Sequence, residues 1–399
     1  MSNISPAMTV RRTAILGAML TALGPVSMAI YTPAMPELVR AFATTESAIK
    51  MSLTLYFGGF AVAQLVSGAM SDAFGRRKAT ILFLLIYLVG GALAAFAPNV
   101  ETLLSARLIQ GIGASVGVTV ARAVVRDQYS GPQATGILNL IGIMLAVGPA
   151  AGPTIGGLSL LAFGWQSVFA LMLAFGLISI TTIVFCLRET TVPDPGRLRP
   201  SRMLSAYGEL LASPRFLLSA LVLGGSVGAL YAQSTMLPFV LINEVELSPT
   251  EFGVGMLMQS GSYFFGSIAL RLLAQKIGDR RASVIGVSLS ALGGLLIFLS
   301  VHLVTPSFLS IMTPVAVATF GLALLTPYTI TAGMTQFPHI AGSASAMMGF
   351  IQMSAGFAAG IAASLLGSPL VGFGTIIPLM ELSAAASYIG FVIISRRQT

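Results

Sequence analysis

Thirteen acidic residues, two histidines, one cysteine and one tryptophan are few for a chain of 399 residues, and each shortage excludes something. The lone Cys186 lies in an apolar segment, which rules out an internal disulfide and a cysteine-based metal cluster. His302 and His339 stand near predicted helix ends and make no metal-ligand spacing, so no metal site is expected. No nucleophile and base fall together within an apolar run, so an enzyme is not expected, nor is any cofactor. Charged residues are 9% of the chain against 55% apolar, more apolar surface than a soluble domain can hide. The chain therefore reads as a polytopic membrane protein. Its net charge of +8 comes in short cationic clusters between apolar runs, a pattern that sets membrane topology and does not make a nucleic-acid surface.

Runs of spanning length predict twelve helices, at roughly 13–36, 47–71, 79–97, 101–125, 134–160, 165–187, 216–242, 250–274, 282–302, 307–333, 343–367 and 374–395. Arg11 and Arg12 before the first run imitate a signal peptide, but the run is too long and too many like it follow; it reads as an uncleaved first helix. With both termini inside, one side collects Arg11, Arg12, Arg76, Arg77, Lys78, Arg126, Arg188, Arg197, Arg199, Arg202, Arg215, Lys276, Arg280, Arg281, Arg396 and Arg397. Of the loop cations only Arg40 and Lys50 fall on the other side, which makes the first side cytoplasmic.

Residues 188–215, with Pro193, Pro195, Pro200 and several arginines, are the longest polar stretch and fall at the midpoint. They read as a cytoplasmic linker between an N-terminal six-helix bundle, 1–187, and a C-terminal one, 216–399. Ile277-Gly278-Asp279-Arg280-Arg281-Ala282 also echoes Phe74-Gly75-Arg76-Arg77-Lys78-Ala79 at an offset of about 203 residues. A half-length repeat is what two packed bundles around a central cavity require.

The first copy of that repeat ends the stretch Gly68-Ala69-Met70-Ser71-Asp72-Ala73-Phe74-Gly75-Arg76-Arg77-Lys78, a charged turn between two apolar runs. Gly68 allows close helix approach, Gly75 permits a tight turn, and Asp72 is placed to meet a helix N-terminus or a basic residue of the facing bundle. The stretch resembles the signature loop of the major facilitator superfamily, with Met70 for the usual Leu and Ala73 for the usual Arg. In the fourth span, Arg107-Leu108-Ile109-Gln110-Gly111-Ile112-Gly113-Ala114-Ser115 puts an arginine inside the membrane, where it needs a wet cavity or a partner. This run matches the superfamily's fourth-helix pattern, and the resemblance implies a role for Arg107 in proton transfer; a structural arginine bonded to backbone carbonyls is the plainer reading.

In the fifth span, Gly148-Pro149-Ala150-Ala151-Gly152-Pro153-Thr154-Ile155-Gly156-Gly157 makes a bent, smooth surface for a neighbouring helix. It resembles the motif shared by antiporters of the superfamily, although Asn139 stands where that pattern begins with Gly, and the resemblance favours export over uptake. Tyr31-Thr32-Pro33-Ala34-Met35-Pro36 and Ala121-Arg122-Ala123-Val124-Val125-Arg126-Asp127 complete a resemblance to the twelve-helix drug-proton antiporters of the bicyclomycin and chloramphenicol resistance type, Bcr/CflA. One departure matters: Ala29 occupies the place of that family's first-helix aspartate. An alanine neither binds a proton nor pairs with a cationic drug. Glu37, at the outer end of the first span, and Glu381, about two turns into the twelfth, are then the acids left to serve coupling beside Arg107.

The resemblance implies an all-α membrane fold of two pseudo-symmetric bundles, with a cavity on spans one, four, seven and ten assisted by two, five, eight and eleven. Polar candidates there are Tyr31, Tyr56, Gln64, Asn139, Tyr231 and Gln233, followed by Gln259, Tyr263, Tyr328 and Gln352, with Met144 and Met236 as adaptable apolar surface. Gating is expected at Asp72, Arg76 and Arg77, and at the Gly148, Pro149, Gly152, Pro153, Gly156 and Gly157 run. The expected function is proton-coupled export of small drug-like molecules by a monomer in the bacterial inner membrane, with substrate, protons and membrane lipid as partners and no nucleic acid. A carrier for one anionic metabolite, with Arg107 meeting the anion, is the competing expectation.

Overall fold

The computed structural model describes the backbone of residues 7–129 and 131–397, and their side chains except at 131, 132, 135, 139, 140, 142–150, 396 and 397. Among the described residues the regular structure is all helical, with no strand. We label the helices α1 (Val10–Ala41, with a 3-10 turn at Thr32–Ala34), α2 (Glu46–Phe74), α3 (Arg76–Ala95), α4 (Val100–Gln128), α5 (Gly131–Phe163) and α6 (Gln166–Cys186). After the connection come α7 (Pro200–Ala212), α8 (Pro214–Glu244), α9 (Pro249–Ile277), α10 (Asp279–Leu303), α11 (Phe308–Met334), α12 (Pro338–Leu365) and α13 (Pro369–Arg397). Ten of these are long and apolar enough to cross a membrane. Helix α5, of 33 residues, and α9, of 29, complete twelve rods of spanning length.

Local chemistry sets the ends. Thr45 accepts from the Ala48 N–H at 3.2 Å to start α2, and Asn99 accepts from the Thr102 N–H at 2.9 Å to start α4. Ser248 and Glu251 form a reciprocal capping box on α9, as Ser307 and Ser310 do on α11. The sequence repeat is realised as one turn used twice: Gly75 joins α2 to α3 at φ 96° and Gly278 joins α9 to α10 at φ 82°. Both positions need the left-handed backbone that glycine adopts without penalty. In the first copy Glu189 adds a cap, accepting from the Arg76 N–H at 2.8 Å and the Arg77 N–H at 3.2 Å, so a carboxylate sits at the positive end of α3.

Burial separates inner from outer helices. The apolar windows of α1, α4 and α8 are 78%, 67% and 67% buried, against 33% for α6 and 39% for both α10 and α13. The outer helices turn side chains such as Phe185, Leu303 and Leu379 outward, as a lipid-facing belt requires. Helices α1–α6 pack among themselves, as do α8–α13, and the two bundles meet mainly along α2 against α12 and α5 against α9. At the face opposite the 187–213 connection, Asn243 Nδ2 donates to Glu46 Oε1 at 2.7 Å and Ser47 donates to the Ser364 carbonyl at 3.1 Å. At the connection's own face, Tyr207 of α7 donates to the Leu65 carbonyl at 2.6 Å.

Candidate functional site: a cavity between the bundles

The two bundles enclose a cavity of about 250 Å³ whose wall is shared by α1, α2, α4 and α5 on one side and α8, α9, α11 and α12 on the other. Most of it is apolar, with Met28, Phe60, Leu237, Phe252, Met256 and Met348 among the lining side chains. Polar groups punctuate this surface: Gln64, Tyr231, Gln259, Tyr263 and Gln352, all expected there, together with Arg122, Ser234 and Thr326. Gln64 Oε1 and Gln259 Nε2 are buried with no hydrogen-bond partner among the described residues. Unpaired amides in an apolar wall are costly unless something that enters the cavity satisfies them. Helix α9 carries Gln259, Ser260 and Tyr263 to the cavity, which explains why it is less apolar than its neighbours.

Several expected cavity residues are placed elsewhere. Tyr31 and Tyr56 are fully buried inside the N-terminal bundle, where they clasp Arg107: the guanidinium carbon lies 4.3 Å from the Tyr31 ring centroid and 4.5 Å from that of Tyr56. Gln110 Oε1 accepts from Arg107 Nη1, and Met172 Sδ lies 3.7 Å from the same nitrogen. Nε and Nη2 have no partner among the described residues, and no carboxylate pairs with the group. Arg107 is thus held by aromatic faces, neither on the cavity wall nor bonded to backbone carbonyls. Gln233 and Met236 are buried in α8 off the wall, and Tyr328 packs edge-on to Phe391 at 6.4 Å between α11 and α13. For Tyr31, Tyr56, Met236 and Tyr328 the helix is an inner one, but its rotation turns the residue toward a neighbour within its own bundle. Asn139 and Met144 lie outside the described side chains.

The acids are also away from the wall. Glu381 is 4% exposed in α13 and accepts a 2.6 Å hydrogen bond from Ser290 of α10, with Gly294 packed against its stem. Glu37 is half-buried near the end of α1. Ala29 does line the cavity, and no carboxylate lines it among the described residues.

The charged loop forms one network at the connection's face. Arg76, 3% exposed, pairs with Asp72 in its own turn, donates from Nε to Asp127 Oδ2 at 2.9 Å and from Nη1 to Ser71 at 2.7 Å. Asp72 was expected to reach the facing bundle; its second partner is instead Arg197 of the connection, at 3.1 Å, because the residues after α6 fold back beneath α2. Arg77 donates to the Val184 carbonyl at 2.6 Å. In the fifth-span motif, Gly148 and Pro149 lie outside the described side chains. Gly152 packs on Ala29 and Gly156 on the Ile30 carbonyl of α1, while Pro153 and Gly157 lie against Gly253 and Pro249 of α9. This one run therefore builds both the α1–α5 contact and the α5–α9 seam between bundles.

The profile of the Major Facilitator Superfamily matches residues 17–363. The chain belongs to that superfamily. It is a multi-pass membrane transporter, not an enzyme. Among its relatives, the Bacillus subtilis MFS-type transporter YdgK is 29% identical over 388 residues, covering 94% of this chain and 93% of YdgK. The Escherichia coli multidrug resistance protein D is 26% identical over 367 residues, 91% of each chain. A Pseudomonas aeruginosa chloramphenicol resistance protein is 26% identical over 347 residues, covering 86% of this chain and 82% of its own. These relatives bear out the resemblance to drug-exporting members read from the motifs. The fold is shared with solved transporters: a D-xylose-proton symporter superposes with a TM-score of 0.74 at 13% identity, over 94% of this chain and 97% of its own. An inward-facing bacterial homologue of the lysosomal transporter Spinster gives 0.70 at 15% identity, over 96% of both.

Arg122, Ser234 and Thr326 are cavity residues that the sequence did not assign there, and Arg122 is the charged one. Its Nη1 donates to Ser345 Oγ of α12 at 2.7 Å, across the bundle boundary. A second arginine within the fourth span, in the Ala121–Asp127 run, was the signal for it.

Proposed function

We propose that this protein is a secondary active exporter of small, largely apolar molecules, working by alternating access in the bacterial inner membrane with both termini and the 188–215 linker cytoplasmic. The observation that carries this reading is the cavity with apolar walls and scattered unpaired amides, lined by four helices of each bundle. Such a site grips a ligand by shape and a few polar contacts and lets it go when the bundles rock. The sealed side, where Asn243 meets Glu46, is then the periplasmic one, and the state described is closed outward. The similarity to drug-resistance proteins supports export of drug-like compounds. Proton exchange is the proposed energy source, with Arg107, Glu37 and Glu381 as the groups put forward to serve it, and the unit of function is a monomer in lipid. The deciding experiment is uptake of fluorescent apolar compounds into everted vesicles with an imposed pH gradient. Uptake dependent on this protein and collapsed by a protonophore is expected; uptake indifferent to the gradient removes the antiport reading.

A further inference from the structure

Arg122 bears the cavity's charge, and no carboxylate answers it: among the described residues it makes no ion pair, and its guanidinium donates to the neutral Ser345 hydroxyl. The nearest acid along α4, Asp127, is already occupied by Arg76 and by a 2.8 Å hydrogen bond from Thr190. One turn beyond Arg122, the exposed Arg126 adds a second positive charge on the same helix. The approach to the cavity along α4 is therefore positive without compensation. Gln259, 6% exposed and lining the same cavity, leaves its Nε2 donor unpaired. A guanidinium in an apolar, partly desolvated chamber favours an anion strongly, and a cation meets repulsion there with no acid to offset it.

We propose that the transported molecule carries an anionic group, a carboxylate or an acid of like geometry, on an apolar body, and that Arg122 receives that group. This rests on the transport reading above and specifies its substrate class. Arg107 does not serve this purpose, because Tyr31 and Tyr56 wall it off from the cavity. The absence of an acid at Ala29 falls into place as well: a site for anions has no use for one. The rest of the wall, with Phe60, Met256, Met348 and Leu237, holds the apolar body, and the donor of Gln259 adds a polar contact.

The test is calorimetric titration of the purified full chain with three naphthalene probes of equal size: 2-naphthoate, 2-naphthamide and 2-naphthylmethylammonium. The naphthoate is expected to bind about tenfold or more tightly than the amide, with the ammonium weakest. Arg122→Gln is expected to cost the naphthoate about tenfold and to leave the amide within about twofold, while Arg122→Lys keeps part of the preference because charge remains without the planar fork. Ammonium binding as tight as naphthoate binding, or naphthoate affinity unchanged in Arg122→Gln, overturns the proposal. Equal binding of all three probes would do so while leaving the apolar-substrate reading intact, whereas no binding of any probe would remove both. Should Arg122→Gln fail to fold, the wild-type order of the three probes decides alone.

Discussion

Asp127 holds Arg76 from the side through two hydrogen bonds, Nε to Oδ2 at 2.9 Å and Nη2 to Oδ1 at 3.3 Å, which tie the end of α4 to the start of α3. The geometry is bidentate, and Arg76 is almost wholly buried. Asp127→Ala leaves that guanidinium to Asp72 and Ser71 alone, and a loss of about 1–3 kcal/mol is expected because a charged donor loses its planar partner. Thermal unfolding of the solubilised protein measures this. Asp127→Asn, which keeps one acceptor, should fall between the two.

The clasp around Arg107 depends on shape as well as charge. Arg107→Lys keeps a cation but gives up the flat contact with both rings, each worth about 0.5–2 kcal/mol. Reconstituted Arg107→Ala is expected to lose pH-driven transport and Arg107→Lys to keep part of it. Full activity in Arg107→Ala would remove the coupling role.

A methyl group on Gly157 would come within 2.5 Å of the Pro249 carbonyl oxygen, at the seam between α5 and α9. Backbone on both sides leaves no flexible side chain to give way, so Gly157→Ala should wedge the bundles apart on the face where Asn243 and Glu46 meet. Spin labels at positions 46 and 243, read by electron paramagnetic resonance, are expected to show a longer and broader distance distribution than in the parent. An unchanged distribution would mean that the seam yields elsewhere.

For Glu381 the informative change is Glu381→Gln, which retains an acceptor for Ser290 and removes the exchangeable proton. If this acid serves coupling, the variant folds like the parent but its transport no longer follows the imposed pH gradient. Because Glu381 is not on the cavity wall, its influence would travel through the α10–α13 contact. Transport with an unaltered response to pH would reduce Glu381 to a structural hydrogen bond.

Tyr207 offers a pH dependence outside the membrane. Partial burial against α2 pushes its hydroxyl from 10.0 up to about 12, and its neutral form donates to the Leu65 carbonyl at 2.6 Å. The raised value means that folding favours the protonated phenol: the stabilisation is complete below pH 10.0 and is lost as the pH rises through about 12. Tyr207→Phe should lower the melting temperature at neutral pH by about 1–4 °C, and the gap from the parent should close at high pH.

Much of this protein was determined by its sequence alone. Uninterrupted apolar runs can satisfy their backbone in lipid only as helices, so twelve rods followed from run length. The repeated glycine turns at Gly75 and Gly278 and the polar stretch at the midpoint divided the rods into two halves for equally local reasons. Which side chains meet was decided only by tertiary structure. A spanning helix that is apolar all round carries little periodicity to say which face turns inward, so Tyr31, Tyr56 and Gln233 stand on cavity-forming helices but off the cavity wall. The second partner of Asp72 lay beyond reach for another reason: Arg197 is 125 positions away, brought close by the fold of the chain after α6. Arg122 shows the same limit in reverse. Its charge was visible in the fourth span, but its command of the cavity arises from the absence of facing carboxylates, a property of eight packed helices and of no single stretch of chain.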